Sequence, residues 1–407
     1  MSAPGERLAA AAGPLRVGIV AGEHSGDTLG AALIAALRER VPHLECFGVA
    51  GPKMIAQGCD AWAHSEELGV MGLAEVLRHL PRLLRLRREL WRRFSAAGLQ
   101  VFVGIDAPEF NLPLARRLKR AGLTTVQYVS PQVWAWREGR ARTIGSACDL
   151  VLCLLPFETE FYERHGVHAV FVGHPLADEI PLSVDREAAR DALGLERQGT
   201  VVALLPGSRL DEVSRLAAPF AAAAARIAAC HADWRFIAPM ASAAVREEFL
   251  RQVAQVPATP AIQLFEGHAQ QVLAACDGAL VASGTATLET LLTGRPMVVA
   301  YRVSAVTAFL VRTLRLVKVP YFSQPNLLAG RRLVPEFLQE QVLGTALGEA
   351  LLKELEDRNH VRELLEEFAS VHRTLRRGGA GRAADAILEC VARRGDSAAP
   401  ARRAAGA

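Results

Sequence analysis

The 407-residue chain lacks most of the features that decide a reading early. No His-Glu-x-x-His and no Asp-x-Asp is present, and His, Cys and acidic residues show no metal-ligand spacing. A zinc-protease site or a metal-held diphosphate is therefore not expected. No Gly-x-Ser-x-Gly elbow marks a hydrolase nucleophile. The seven cysteines are odd in number and scattered, with no Cys-x-x-Cys. That argues against a disulfide framework and for buried reduced thiols of a cytosolic protein. No run reaches the ~18–20 apolar residues of a membrane span, so any membrane role is expected to be peripheral. The first residues, MSAPGERLAAAAGPLR, hold too weak an apolar run for a signal peptide. A net charge of +4 gives no general case for nucleic acid.

What is present is apolar and periodic. Hydrophobic residues make up 51% and charged residues 22%, enough for a large core. The length suits two domains. Short apolar runs without alternation occur at 16–21, 45–49, 100–105, 125–129, 150–154 and 169–172, with helical stretches between several of them. Such runs suit parallel strands buried on both faces. Residues 173–185, rich in Pro and polar side chains, read as a linker. The alternation then restarts at 201–205, 235–239, 262–265, 278–282 and 296–301, and becomes helical only after Pro335. The expected fold class is α/β, with two doubly wound Rossmann-like lobes and a helical C-terminal segment. The expected boundaries are a disordered 1–15, lobes at 16–175 and 186–345, C-terminal helices at 346–394 and a disordered tail at 395–407.

Two strand-to-helix turns in the second lobe are suited to a phosphorylated ligand. In Leu204–Arg209, Gly207 permits a tight turn, Ser208 with Asp211 forms a Ser-x-x-Asp capping pattern, and Arg209 adds a fork of donors. A helix start there favours an anion. In Ser283–Glu289, with Thr285 as N-cap after Ser283 and Gly284, Glu289 leans back over the turn and can accept from ribose hydroxyls. Neither turn is a Walker loop or a Gly-x-Gly-x-x-Gly fingerprint. Each also reads as an ordinary capped turn.

In the first lobe, Glu23, Ser25 and Asp27 follow the first strand, where Ser25 and Asp27 could equally cap the next helix. Asp106 directly follows the buried run 101–105. A carboxylate in a partly dry cleft can work as a general base, and the alternative is a structural turn residue. Trp134 and Trp136 offer a wall for a sugar or acyl chain, or plain packing. Residues 68–94 combine Leu68, Val70, Met71, Leu73, Val76, Leu77 and Leu80 with seven arginines and Trp91. Pro81 is expected to divide this stretch into two helices. The pattern suits either an anionic membrane surface or a core-facing helix with a solvated basic face.

In order along the chain, AGEHSGDTLG (21–30), FGVAGPKM (47–54), EELGVMGLAEVL (66–77), VGIDAPEFN (103–111), YVSPQVWAWR (128–137), LLPGSR (204–209), ASGTATLE (282–289) and PNLLAG (325–330) resemble the lipid-A-disaccharide synthases. The resemblance implies the two-lobed fold called GT-B. It implies an inverting hexosyltransferase of lipid A and lipopolysaccharide biosynthesis. Such an enzyme moves 2,3-diacylglucosamine from UDP to 2,3-diacylglucosamine 1-phosphate, without cofactor or metal, at the inner face of the cytoplasmic membrane. Residue by residue, it implies Asp106 as general base and Arg209, Glu289 and Asn326 as donor-nucleotide contacts. It implies a membrane-facing patch over 68–84, made of the apolar residues named above. Members can form homodimers by exchanging C-terminal segments, which would carry the helices after Pro335 to the other lobe or a partner. His24 departs from the family's small residue. A UDP-N-acetylglucosamine 2-epimerase on the same fold is the rival reading.

Overall fold

The computed structural model describes residues 13–68, 73–136, 138–304 and 320–404, with side chains except at 73–78, 135–138 and 395–404. The apolar runs become strands of two parallel sheets. The first contains β1 (Leu15–Ala21), β2 (Leu44–Ala50), β3 (Cys59–His64), β4 (Val101–Ile105), β5 (Thr124–Tyr128), β6 (Leu150–Cys153) and β7 (Ala169–Phe171), in the order β3-β2-β1-β4-β5-β6-β7. The second contains β8 (Val201–Leu205), β9 (Arg235–Met240), β10 (Ile262–Glu266), β11 (Gly278–Ala282), β12 (Met297–Tyr301) and β13 (Glu336–Leu338), in the order β10-β9-β8-β11-β12-β13. In each sheet the order reverses once, between β1 and β4 and between β8 and β11. Ligands of open parallel sheets bind beyond the carboxyl ends of the strands at that reversal.

The chain divides into two compact units, Met1–Pro175 with Leu375–Ala407, and Leu176–Thr374. The C-terminal helices are shared between them. Gly344–Glu356 and Arg358–Leu375 lie in the second unit except for the final residue, whereas Gly379–Ala404 returns to the first. That last helix buries Ala383, Ala384, Ile387, Leu388 and Val391 in one core with Leu33, Val126 and Leu152. A fully buried Phe220 and Ile227 anchor helix Leu210–Cys230 in the second core. This helix is long and apolar enough to cross a membrane by length and composition, but it is a core helix of its unit.

Several expectations are corrected. β3 and β13 are strands that the sequence reading omits: one is an edge strand with polar positions, the other has three residues and follows Pro335. Pro81 sits inside one continuous helix, Leu73–Ala96. The hydrogen bond that proline removes is outweighed by packing of this helix through Leu90 and Phe94 into the first core. The last helix runs through Ala404, past residue 395. The expected disordered start at 1–15 falls mostly on residues outside the described ones, and Leu15 already belongs to β1.

Candidate functional site

In the first unit, the carboxyl ends of β1 and β4 lie side by side, with Ala21 opposite Ile105. The loops that follow them meet: a side chain on Gly22 would come within 3.2 Å of the Ala107 Cβ. Gly22 caps helix Glu23–Arg40 without a side-chain bond, and Glu23 and Ser25 are exposed on its first turn. Backbone strain gathers here. Glu23, Asp106, Ala107 and Val129 all have positive φ, at 58°, 50°, 40° and 73°. These non-glycine residues follow β1, β4 and β5, and a left-handed β-branched residue such as Val129 is an outlier by itself. Such strain persists only where the surroundings over-determine it, and it collects at functional sites. The Asp106 carboxyl is reachable by solvent, yet burial among its neighbours pushes its pKa up, opposed by a bond from the Ala107 N–H. A base that takes a proton only as a carboxylate is tuned toward neutral pH by such a shift.

Asp27 has a different task from the one expected. It is buried, and its carboxylate accepts the backbone N–H groups of Gly51, Lys53 and Met54, each at 3.0 Å. It therefore caps helix Pro52–Ala56, which lies 25 residues further along, and does not cap its own helix. Trp134 is half-buried, and its indole N–H donates to Glu158 at 3.1 Å. The Trp136 side chain lies outside the described ones. Of the membrane-facing candidates, Val70 and Met71 lie outside the described residues. Leu73, Val76 and Leu77 are on the helix with side chains outside the described ones. Leu68 is half-buried near Gly22, and Leu80 is exposed at 42%.

In the second unit, the carboxyl ends of β8 and β11 adjoin, with Leu205 opposite Val281. Gly207 has φ 126°, and a side chain there would strike Glu212. Helix Leu210–Cys230 is capped at Arg209, one residue later than expected. The capping carboxylate is Glu212, not Asp211. Glu212 accepts from the N–H of Ser208 at 3.1 Å and of Arg209 at 3.4 Å, and Arg209 Nη1 reaches it at 3.4 Å. Asp211 instead pairs with Arg215. The amides of Ser208 and Arg209 are thus occupied from within, while the Arg209 side chain remains mostly exposed.

The second turn is the open one. Its N-cap is Gly284, with φ 141° and no side-chain cap, and Thr285 is the first helical residue. A side chain at Gly284 would meet nothing within 4 Å, so the space beside this helix start is open on that side. Ser283 donates to the Phe322 carbonyl at 2.9 Å, and Thr287 accepts from the Gln324 N–H at 3.3 Å. These bonds tie the turn to the segment 322–326. Glu289 lies one turn in, half-buried. Its carboxyl is pushed up by burial and then by nearby Glu179. Asn326 is fully buried. Its Oδ1 accepts from Leu333 and Val334, and its Nδ2 donates to the Val334 carbonyl at 3.0 Å. It holds the 323–334 loop from inside, with its polar atoms engaged by the loop's own backbone.

Four further residues shape the two turns, and of these only Asn111 lies in a segment quoted above. Glu336 accepts from the N–H groups of Phe322 and Ser323 and shapes the same loop. Tyr301 ends β12 near Glu212 and Arg209, and burial raises its hydroxyl pKa. Asn111 and Gln127 converge on the backbone of Asp106. Of the other three, Tyr301 is marked in advance by its position at a strand's carboxyl end.

The chain matches the sequence model of the Lipid-A-disaccharide synthetase family over residues 17–387. It is 54% identical to the lipid-A-disaccharide synthase of Alkalilimnicola ehrlichii over 376 residues, covering 92% of this chain and 98% of that one. It is 51% identical to that of Pseudomonas paraeruginosa, covering 94% and 100%. Among solved structures, it resembles a putative UDP-N-acetylglucosamine 2-epimerase of Listeria monocytogenes at 14% identity and a TM-score of 0.59, covering 92% of this chain and 95% of that one. It also resembles the calicheamicin glycosyltransferase at 16% identity and a TM-score of 0.56, covering 93% and 99%. At such identities the structural likeness shows the fold alone, two doubly wound units of the GT-B type.

Proposed function

The chain belongs to the lipid-A-disaccharide synthetase family, and on that premise we propose that it joins two acylated glucosamines in lipid A biosynthesis. The donor is UDP-2,3-diacylglucosamine and the acceptor is 2,3-diacylglucosamine 1-phosphate. The acceptor 6-hydroxyl oxygen attacks the donor anomeric carbon as the bond to UDP breaks, with inversion. The hydroxyl proton passes to the Asp106 carboxylate. UDP departs with its diphosphate near Arg209 and the uncapped helix start at Gly284 and Thr285, where fixed dipoles stabilise the developing charge. Glu289 accepts from the ribose. Glu23 and Ser25 line the acceptor side.

One observation carries this reading. The motif loops ending in Asp106, Arg209 and Glu289 emerge at the carboxyl ends of β4, β8 and β11, the strands that flank the reversals of their sheets. The protein works in the cytoplasm, peripheral on the inner face of the cytoplasmic membrane. The exposed Leu80 and Leu84, one helical turn apart on an arginine-rich helix, support a contact with a lipid surface.

The test is incubation with both acylated sugars, followed by mass analysis of the lipid. A disaccharide 1-phosphate with stoichiometric UDP supports the transfer. UDP-N-acetylmannosamine formed from UDP-N-acetylglucosamine alone would support an epimerase instead. The epimerase likeness is distant, at 14% identity.

A further inference from the structure

Asp106 and Ala107 are consecutive left-handed residues without glycine's freedom. This turn takes the Asp106 carbonyl out of the β-ladder and leaves it as a backbone acceptor that must find donors elsewhere. Two side-chain amides supply them. Asn111 Nδ2 donates to the Asp106 carbonyl at 2.8 Å and reaches the Ile105 carbonyl at 3.4 Å and the Val20 carbonyl at 3.5 Å. Gln127 Nε2 donates to the Asp106 carbonyl at 3.0 Å and reaches the carbonyls of Val129 at 3.3 Å and Tyr128 at 3.5 Å. The Asp106 N–H donates to the Tyr128 carbonyl at 2.9 Å. Both amide side chains are buried, at 0% and 1% exposure.

We infer that Asn111 and Gln127 are positioning residues, a two-amide clamp that fixes the direction in which Asp106 presents its carboxylate. Their reach spans the ends of β1, β4 and β5, the three strands whose following residues carry the strain. Their orientation is set by the surroundings: each nitrogen faces three carbonyl oxygens, so turning either amide over would set oxygen against oxygen. The oxygens Asn111 Oδ1 and Gln127 Oε1 are buried and accept nothing from the described residues. Donation toward the Asp106 peptide is thus what these side chains are placed for. Gly104 leaves the space, since a side chain there would come within 2.8 Å of the Asn111 Cβ.

The inference rests on Asp106 as the base, and the test separates the two. Gln127→Met and Asn111→Leu keep size and remove the donor. Positioning predicts that a folded Gln127→Met variant loses roughly 10- to 100-fold in kcat, as expected for a reacting group slightly misplaced. Its KM for the UDP-sugar and its affinity for UDP stay as in wild type. The acid limb of its kcat–pH profile moves to lower pH, because a loosened Asp106 carboxyl gains water and loses part of its raised pKa. Asn111→Leu should repeat the pattern, so one folded variant suffices. A folded variant with wild-type kcat and acid limb overturns the clamp. Equal losses in kcat and UDP affinity overturn it too, since they indicate a structural role only. If Asp106→Asn itself keeps wild-type turnover, the base reading falls and the clamp with it. If Asp106→Asn is inactive while Gln127→Met is unaffected, only the clamp falls.

Discussion

The Trp134 indole N–H donates to the Glu158 carboxylate at 3.1 Å, inside the first core. Glu158 is buried, and that burial raises its carboxyl from 4.5 to about 7, against the hydrogen bonds from Leu155, Trp134 and Ser130. The folded protein keeps this proton to a higher pH than the unfolded chain does. Its contribution is therefore full below the unfolded carboxyl value and is lost as pH rises through about 7. Wild type should lose on the order of 1–3 kcal/mol from this group between acidic and mildly alkaline pH. Glu158→Gln removes the titrating proton and keeps an acceptor oxygen for one of the Trp134 and Leu155 N–H donors, so it should be less stable overall and lack that slope. Urea unfolding across the pH range checks it, and parallel curves for the two proteins would refute it.

Asp27 accepts three backbone N–H groups from a segment distant in sequence. Asp27→Ala should lower stability by about 1–3 kcal/mol through those unpaired donors. UDP affinity should be unchanged, since Asp27 lies in the other unit. Thermal melts and calorimetry with UDP together test this assignment. A weakened UDP site with an unchanged melt would reverse it.

Gly284 combines a glycine-only backbone geometry with open space around its α-carbon. Gly284→Ala therefore acts through the backbone and not through a clash. It should twist the amides at the start of helix Thr285–Leu292 and weaken UDP binding by about tenfold, equivalent to ~1.4 kcal/mol. Unchanged calorimetric affinity would remove this turn from the diphosphate site.

Leu80 and Leu84 are exposed at 42% and 38% on helix Leu73–Ala96. Changing both to Ser should release the protein from anionic vesicles in sedimentation while leaving its melt intact. Each loss of a buried leucine contact is worth about 1.5–3 kcal/mol at full burial, so the pair is enough to shift partitioning visibly. Unchanged sedimentation would discount this face.

Much of this protein is legible from sequence because its strands are buried on both faces and its site loops follow them directly. Val101–Ile105 announces Asp106, and Val201–Leu205 announces Gly207 and Arg209. What resists reading is long-range or small. Cys59–His64 is an edge strand whose polar positions hide its period, and Glu336–Leu338 is too short for any period. Asp27 and Asn326 look like ligand groups because they are polar and sit in motifs, yet each is taken up by backbone partners that spacing cannot reveal. Glu212 displaces Asp211 because the helix begins one residue later than the Ser-x-x-Asp pattern suggests. Gln127 carries no signal at all, and Asn111 lies in the VGIDAPEFN segment without its role being legible, since both roles depend on the left-handed turn at Asp106.

The central claim is that Asp106 takes the acceptor's proton, and turnover of Asp106→Asn with both acylated sugars tests it most directly. The amide keeps the shape and cannot act as the base, so kcat should fall by about 10²–10⁴, with UDP affinity and melting behaviour retained. A folded Asp106→Asn protein that forms the disaccharide at the wild-type rate would contradict the account.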